Sequence, residues 1–283
     1  MTTAVQQIML GGVTGNESAA REALSRVKTA GYDAVELNRF MIRPSGPFVR
    51  LLTRMAGMPV GSGGRLDWFL LVKDSGLDVV SLHTDLGSLE REPDAVVGDA
   101  MRFGTSRVVV TGMYRFDYGD EKSVLSLAGR LNEAGRRMKE SGLRLLYHNH
   151  NAELLRVREG MTAFALLLAE TDPSLVGIEF DSYWFAEAGA DPAAWMKKLG
   201  RRMELWHVTD RGVMKPKSHV TPILKSDVTE AGQGSMELDR LAGLAEGNGC
   251  AAAVLETHRN WAGSDPLKSV EISARWMTGR FGR

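Results

Sequence analysis

The sequence predicts a single α/β domain, a (β/α)8 or TIM barrel with long loops after its second and seventh strands. Three observations carry that expectation. Strand-like and helix-like stretches alternate from end to end over 283 residues, and a barrel of this kind needs about 250. The alternation has no gap wide enough for a second domain. The competing architecture, a doubly wound open sheet, needs a Gly-rich phosphate turn after its first strand, and Gly11-Gly-Val-Thr-Gly15 imitates one poorly.

The elements follow in order. Val5–Leu10 reads as the first strand, and Asn16–Ala30 as a helix with Asn16 as N-cap and Gly31 as stop. Asp33–Leu37 is the second strand. The segment from Asn38 to Gly64, carrying Arg39, Arg43, Arg50 and Arg54, is too long for an ordinary connection. It reads as a lid or partner surface containing a short helix. A helix over Arg65–Asp74 leads to the third strand, Asp78–His83, and a helix near Asp94–Phe103 to the fourth, Arg107–Thr111. Asp120–Glu140 is amphipathic, and the fifth strand is Leu143–His148. Gly160–Glu170 is helical, Leu175–Asp181 the sixth strand, Pro192–Leu199 a helix and Met203–Val208 the seventh strand. A second long loop, Thr209–Gly234, precedes a helix over Met236–Glu246. The eighth strand is Ala251–Glu256, and the last helix, Pro266–Met277, repeats the Asp-Pro opening of Asp191-Pro192.

Composition narrows the function classes. The chain is 43% hydrophobic and 25% charged with zero formal net charge, so neither nucleic acid nor an anionic membrane is an expected partner. One cysteine, Cys250, excludes an intrachain disulfide framework and suits a reducing compartment. The first fifteen residues lack the basic and apolar regions of a signal peptide, and no apolar run is long enough to span a membrane. A soluble, cytoplasmic protein is expected.

In a barrel the chemistry lies at the C-terminal ends of the strands. His83, His148, His150, His207 and His258 stand at such ends, His219 lies in the seventh loop, and Glu36, Glu179, Asp181, Asp210 and Glu256 add carboxylates. Asp181, His207 and Glu256 together offer two oxygens and a nitrogen, a set suited to Mn²⁺, with Zn²⁺, Co²⁺ or Mg²⁺ also accepted. Each has an ordinary reading by itself: Asp181 as the cap of the next turn, Glu256 paired with Arg259, His207 as a buried, satisfied imidazole. Their occurrence on three successive strand tips argues for a metal. Either His148 or His150 completes the set from the fifth strand. His83, Glu179, Trp184, Asp210 and His258 are expected to touch substrate. Glu36 reads as structural or supporting, and Tyr183 and Trp206 as pocket wall.

Several stretches, taken together, resemble the sugar phosphate isomerase/epimerase group of the xylose isomerase-like TIM barrels. They are Gly31-Tyr-Asp-Ala-Val-Glu-Leu37, Tyr147-His-Asn-His-Asn-Ala-Glu153, Phe180-Asp-Ser-Tyr-Trp184, Ala188-Gly-Ala-Asp-Pro192, Leu205-Trp-His-Val-Thr-Asp210, Gly232-Gln-Gly234 and Leu255-Glu256. The likeness spans almost the whole chain. It implies a divalent metal held from strands five to eight, with Asp181, His207 and Glu256 in the last three places. Two glutamates shuttle the proton in the family's epimerases, but here the strand-five glutamate is replaced by His148-Asn-His150. Relatives with Tyr-His-Asn-His at this point resemble inosose dehydratases and keto-sugar lyases as much as isomerases. Thr209 also stands where such relatives often carry lysine. A histidine in place of a glutamate raises the site's net charge from −1 to zero, which strengthens the ion as a Lewis acid.

The expected activity is therefore a metal-dependent isomerase, epimerase or dehydratase acting on a keto-sugar or inosose-like polyol. Glu256, His148 or His150 would take the proton next to the carbonyl, and Glu153 or the other histidine would return one. Arg43, Lys215, Lys217 and His219 are placed to close over substrate. The expected partner is a small sugar or polyol, and assembly into a homo-oligomer is compatible with the sequence. The alternative is a metal-binding, non-catalytic barrel or subunit that requires a partner. Apurinic-endonuclease chemistry, which shares the barrel, wants more metal ligands and a basic face.

Overall fold

The computed structural model describes residues 1–44, 62, 64–113, 115–213 and 220–282. Eight parallel strands close into a barrel: β1 (Thr2–Gln6), β2 (Ala34–Asn38), β3 (Asp78–Thr84), β4 (Arg107–Thr111), β5 (Arg144–His148), β6 (Val176–Asp181), β7 (Met203–Val208) and β8 (Ala252–Leu255). Each pairs with its neighbours in chain order, and β1 closes on β8. The outer ring is α1 (Glu17–Thr29), α2 (Trp68–Ser75), α3 (Pro93–Arg102), α4 (Glu121–Glu140), α5 (Ala163–Glu170), α6 (Pro192–Leu199), α7 (Leu238–Asn248) and α8 (Pro266–Phe281).

Period-two alternation decides what points into the barrel. Val109, Leu146, Leu205 and Ala252 form one small buried cluster, and Ala4, Ala34 and Val254 another, both separate from the large core between strands and helices. Two residues further along the same faces come His148, His207, Glu36 and Glu256. The barrel thus has an apolar floor and a polar mouth. Small residues on the floor leave room, and the mouth residues inherit their inward direction from the alternation.

Several boundaries differ from those read in the sequence, each because a side chain intervenes. The first strand ends at Gln6, whose Oε1 accepts the Ile8 N–H at 2.7 Å and starts a 3-10 turn over Gln7–Leu10. Helix α2 begins at Trp68 because Asp67 caps the N–H groups of Phe69 and Leu70. Helix α5 begins at Ala163, since 156–158 and 161–162 pair as a small antiparallel hairpin first. Helix α7 begins at Leu238, two residues late, because the preceding turn is tied to Asp210. Asn16, Asp191 and Asp265 cap as expected, the last two before a proline at the first helical position.

Of the two long loops, the first opens with a short helix at Arg39–Ile42. Arg39 donates to Asp99 at 2.8 Å and to Glu92 at 2.7 Å, and Arg43 also pairs with Asp99. Asp99 lies on α3, so both arginines are drawn to the outer helices. This corrects the expectation that Arg43 reaches substrate. Arg50, Arg54, Lys215, Lys217 and His219 lie outside the described residues. The second loop holds an antiparallel hairpin, Asp210–Val213 with Ser226–Thr229. No described helix is long and apolar enough to cross a membrane.

Candidate metal centre

Four strand tips bring His148, Asp181, His207 and Glu256 together, with one ligand atom from each within 4.8 Å of the others. All four are buried. A second group, Glu36, His83, Glu179 and His207, meets the same distance criterion. It lies one layer deeper, since Glu179 precedes Asp181 on β6 by two residues and Glu36 occupies the middle of β2. His207 is common to both layers.

The deeper layer satisfies itself. His83 Nε2 lies 2.8 Å from Glu179 Oε2 and 3.1 Å from Glu36 Oε2. His207 Nε2 lies 2.7 Å from Glu36 Oε2, and the Ser81 hydroxyl donates to Glu36 Oε1. Burial opposes charge on His83, but the two glutamates overcome it and raise its pKa to about 10. Burial likewise opposes ionisation of Glu179, yet His207, His83 and His148 hold its carboxyl well below the usual range. His83 and Glu179 were expected to contact substrate. The structure instead commits His83 Nε2 to two carboxylates and buries Glu179 completely, so both support the layer above.

The upper layer has acceptors to spare. Asp181 Oδ1 caps the next turn, accepting the N–H groups of Tyr183 and Trp184 at 2.8 and 3.2 Å, while buried Oδ2 has no partner. The capping role and the ligand role therefore coexist on two oxygens. Burial pushes the Asp181 carboxyl up to about 8, with Glu256 adding to the rise and His207 opposing it. His207 Nδ1 lies 2.8 Å from Glu256 Oε2, and flanking carboxylates raise its pKa well above the ordinary value against the effect of burial. Burial resists ionisation of Glu256, but His258 and His207 bring its carboxyl far below the usual range. Arg259, read in the sequence as its possible partner, pairs with Asp227 instead. An orphaned carboxylate oxygen among two imidazoles and a second carboxylate is a donor set that fits a divalent cation. The buried cluster can bind a metal.

Between the two strand-five histidines, His148 is the one in this group. It ends β5 facing inward and lies 3.2 Å from Glu179, out of line for a hydrogen bond. Burial, then His207, lowers its pKa. His150 stands in the loop beyond, half-buried, its ring 5.0 Å from that of His148 and 5.7 Å from Trp184. Burial, then His148, lowers its pKa to about 3. Trp184 and His258 stack obliquely at 5.6 Å, both half-buried; among the described residues Trp184 Nε1 has no hydrogen-bond partner, and His258 Nε2 faces Glu256 Oε2 at 3.6 Å.

Other expected contacts are corrected. Both oxygens of Asp210 are taken by backbone N–H groups: Arg211 and Met236 on Oδ1, Gly232 and Gly234 on Oδ2. It builds the seventh loop and has nothing left for substrate. Glu153 is fully buried, with Oε1 accepting from the Tyr147 hydroxyl at 2.7 Å and Oε2 from the His150 N–H at 3.0 Å. It sets the position of His150 and has no open face for general-acid chemistry. Trp206 points outward against Trp276, and Tyr183 is buried with its hydroxyl toward Asp227. Neither lines the mouth.

Sequence reasoning underrated Glu36 and passed over Asn149. The Asn149 amide donates to the Asp181 carbonyl at 3.0 Å and accepts the Asp181 N–H at 3.1 Å, clamping the tips of β5 and β6 together. The only signal for it was its position between two histidines.

Among curated proteins the chain is similar to the inosose dehydratase of Clostridium beijerinckii, 23% identical over 173 residues, covering 58% of this chain and 57% of that protein. It is also 27% identical over 164 residues to the inosose dehydratase of Clostridium perfringens, covering 55% and 54%. The chain thus spans a little over half the length of the curated relatives it matches. Among solved structures it resembles a sugar phosphate isomerase/epimerase from Parabacteroides distasonis at TM-score 0.76 and 21% identity, covering 100% of this chain and 95% of that one. It also resembles the IolI protein solved with a zinc atom, at TM-score 0.68 and 14% identity over the whole of both chains. A Mycobacterium smegmatis xylose isomerase-like barrel solved with magnesium gives 0.63 at 14% identity, covering 100% and 96%. At these identities the structures speak for the fold. The family model for xylose isomerase-like TIM barrels matches residues 24–279, and with the closed barrel this chain belongs to that family.

Proposed function

We propose that this protein is a divalent-metal-dependent sugar lyase or isomerase, taking a proton next to the carbonyl of a keto-sugar or inosose-like polyol. The observation that carries the reading is the convergence of His148, Asp181, His207 and Glu256, from four consecutive barrel strands, on one buried point. The partial similarity to inosose dehydratases supports the dehydratase form. His148, Asp181, His207 and Glu256 would hold the ion, with Mn²⁺ first among the candidates because the donors mix carboxylate and imidazole. When bound, such an ion supplies Lewis acidity toward adjacent substrate oxygens.

The remaining groups divide the work. His150 lies outside the ligand set and is half-open to the mouth, with its backbone held by Glu153, so it is the group placed to take the α-proton. Glu256 and His148, the other candidate bases, belong to the ligand set. His258, across Trp184 and with Nε2 3.6 Å from Glu256 Oε2, is the group placed to protonate the departing β-hydroxyl, which leaves as water. The Trp184 ring gives an apolar wall for a sugar ring, and its unpartnered N–H meets a hydroxyl. The test is elemental analysis of wild type, Asp181→Ala and His207→Ala, joined to a screen of keto-sugars and inososes with added Mn²⁺. One ion per wild-type chain, lost in both variants together with turnover, is the expected result. Wild-type stoichiometry in the variants would end the assignment.

A further inference from the structure

Glu36 is completely buried in the middle of β2, and among the described residues no Lys or Arg pairs with it. A carboxylate in such a place is costly unless each oxygen is used. Here each is. Oε1 takes the Ser81 hydroxyl, and Oε2 takes His207 Nε2 at 2.7 Å and faces His83 Nε2 at 3.1 Å. The pairing that permits this is irregular. Val35 lies opposite Val79, yet Glu36 lies opposite Ser81, so β3 carries an extra residue at that step. The bulge turns Ser81 toward Glu36. A second bulge, between Ile178 and Glu179 on the β6–β7 pair, sets Asp181 opposite His207. Bulges re-aim side chains, and those here flank the centre on both sides.

We propose that Glu36 is a positioning residue for the metal centre, fixing through Nε2 which nitrogen of His207 is offered to the ion. This rests on the metal-dependent reading above. A neutral imidazole has one N–H and one lone pair. With the Nε2 hydrogen held by Glu36, an ion that displaces the other proton would find the lone pair on Nδ1, the nitrogen that faces Glu256 and the upper layer. A histidine ligand held at its far nitrogen by a carboxylate is both oriented and made more basic. Ser81 completes the arrangement by preventing the Glu36 carboxylate from turning.

Glu36→Gln makes the idea falsifiable. The Ser81 hydroxyl still donates to the oxygen on its side, so the new amide group takes the position of Oε2 and donates to His207 Nε2. With Glu36 no longer accepting and Glu179 Oε2 3.2 Å from the same nitrogen, the balance shifts toward hydrogen on Nδ1, with the lone pair pointing away from the ion. Zn²⁺ affinity is measured by chelator competition on wild type, Glu36→Gln and Ser81→Ala, with imidazole nitrogen NMR reporting which His207 nitrogen carries hydrogen in the Zn²⁺-loaded proteins. The expectation is a loss of about 10- to 100-fold for Glu36→Gln, with the Nε2–H signal of wild type lost, and a smaller loss for Ser81→Ala. Affinity unchanged in both variants overturns the proposal. So does weakened affinity with His207 still protonated at Nε2, since that is what a purely structural role predicts. If Glu36→Gln does not fold, Ser81→Ala decides alone, and wild-type affinity there is the negative result. A wild-type chain that takes up no Zn²⁺ overturns this proposal and the functional reading together; a loaded wild type with unchanged variants overturns only the role of Glu36.

Discussion

His207 shows how much one residue depends on its surroundings. Buried and alone it would be a neutral imidazole; between Glu36, Glu179 and Glu256 it becomes the hinge of two layers. Its neighbour in function, His150, stands outside the four-residue ligand group, its ring 5.0 Å from that of His148, and this separates chemistry from metal binding in an experiment. His150→Ala is expected to lower kcat by roughly 10²- to 10⁴-fold, the usual contribution of a positioned base, while metal content by elemental analysis stays at the wild-type value. A parallel loss of metal would place His150 among the ligands instead. From the sequence, Asp181, His207 and Glu256 were legible because each ends an apolar run. Glu36 lies inside a similar run rather than at its end, and its importance depends on Ser81 and His83, which stand 45 and 47 positions later in the chain and meet it across β2 and β3.

At the level of elements, the loops are built by side chains that face away from the substrate. Asp210 gathers four backbone N–H groups and so shapes the turn from Gly232 to Met236 ahead of α7. Asp210→Ala leaves those donors without partners, and a cost of roughly 1–3 kcal/mol is expected, read as a lowered Tm. Metal content should be retained, because Asp210 contributes no oxygen to the centre. Packing between elements is equally specific. A Cβ on Gly135 of α4 would come within 2.7 Å of the Leu175 carbonyl. Gly135→Ala, although it favours helix, is expected to destabilise by about 1–3 kcal/mol through overpacking. A raised Tm would show that α4 can shift outward. The role of Asp210 was missed because its spacing to Gly232 and Gly234 is long, and a strand-tip carboxylate reads the same whether it faces a loop or a ligand.

For the whole molecule, an ion held by His148, Asp181, His207 and Glu256 would tie β5, β6, β7 and β8 at one point, beyond their ladders and the side-chain contacts at their tips. Saturating metal at about 100 times Kd is expected to add about 2.7 kcal/mol to stability, and a chelator should remove it, measured as paired Tm values. A second connection joins the loops. Burial opposes ionisation of Asp227, but Arg259, Asn260 and the Val228 N–H overcome it and lower its pKa to about 2. The folded value lies below the unfolded one, so the stabilisation is complete above about pH 4 and fades as pH falls toward 2. Arg259→Ala should narrow the stability difference between wild type and variant in this window, while leaving a constant gap at neutral pH. Acid titration followed by circular dichroism tests it, and a gap that does not change with pH would show that Asp227 is held by its other partners.

The sequence alone determined the barrel and the strand tips, because alternation of apolar runs with capped helices is a local property repeated eight times. It also determined the three principal metal-competent residues, since period two sends a side chain inward wherever the run ends. Only the tertiary structure showed that His148 rather than His150 joins the cluster that could hold a metal, since one ends the strand and the other lies beyond it. Tertiary contacts likewise occupy His83, Glu179 and Asp210, expected to touch substrate, and Glu153, expected as a catalytic acid, with protein partners. The physical reason is common to all four: a carboxylate or imidazole takes its role from which donors and acceptors face it, and those come from strands and loops distant in the chain.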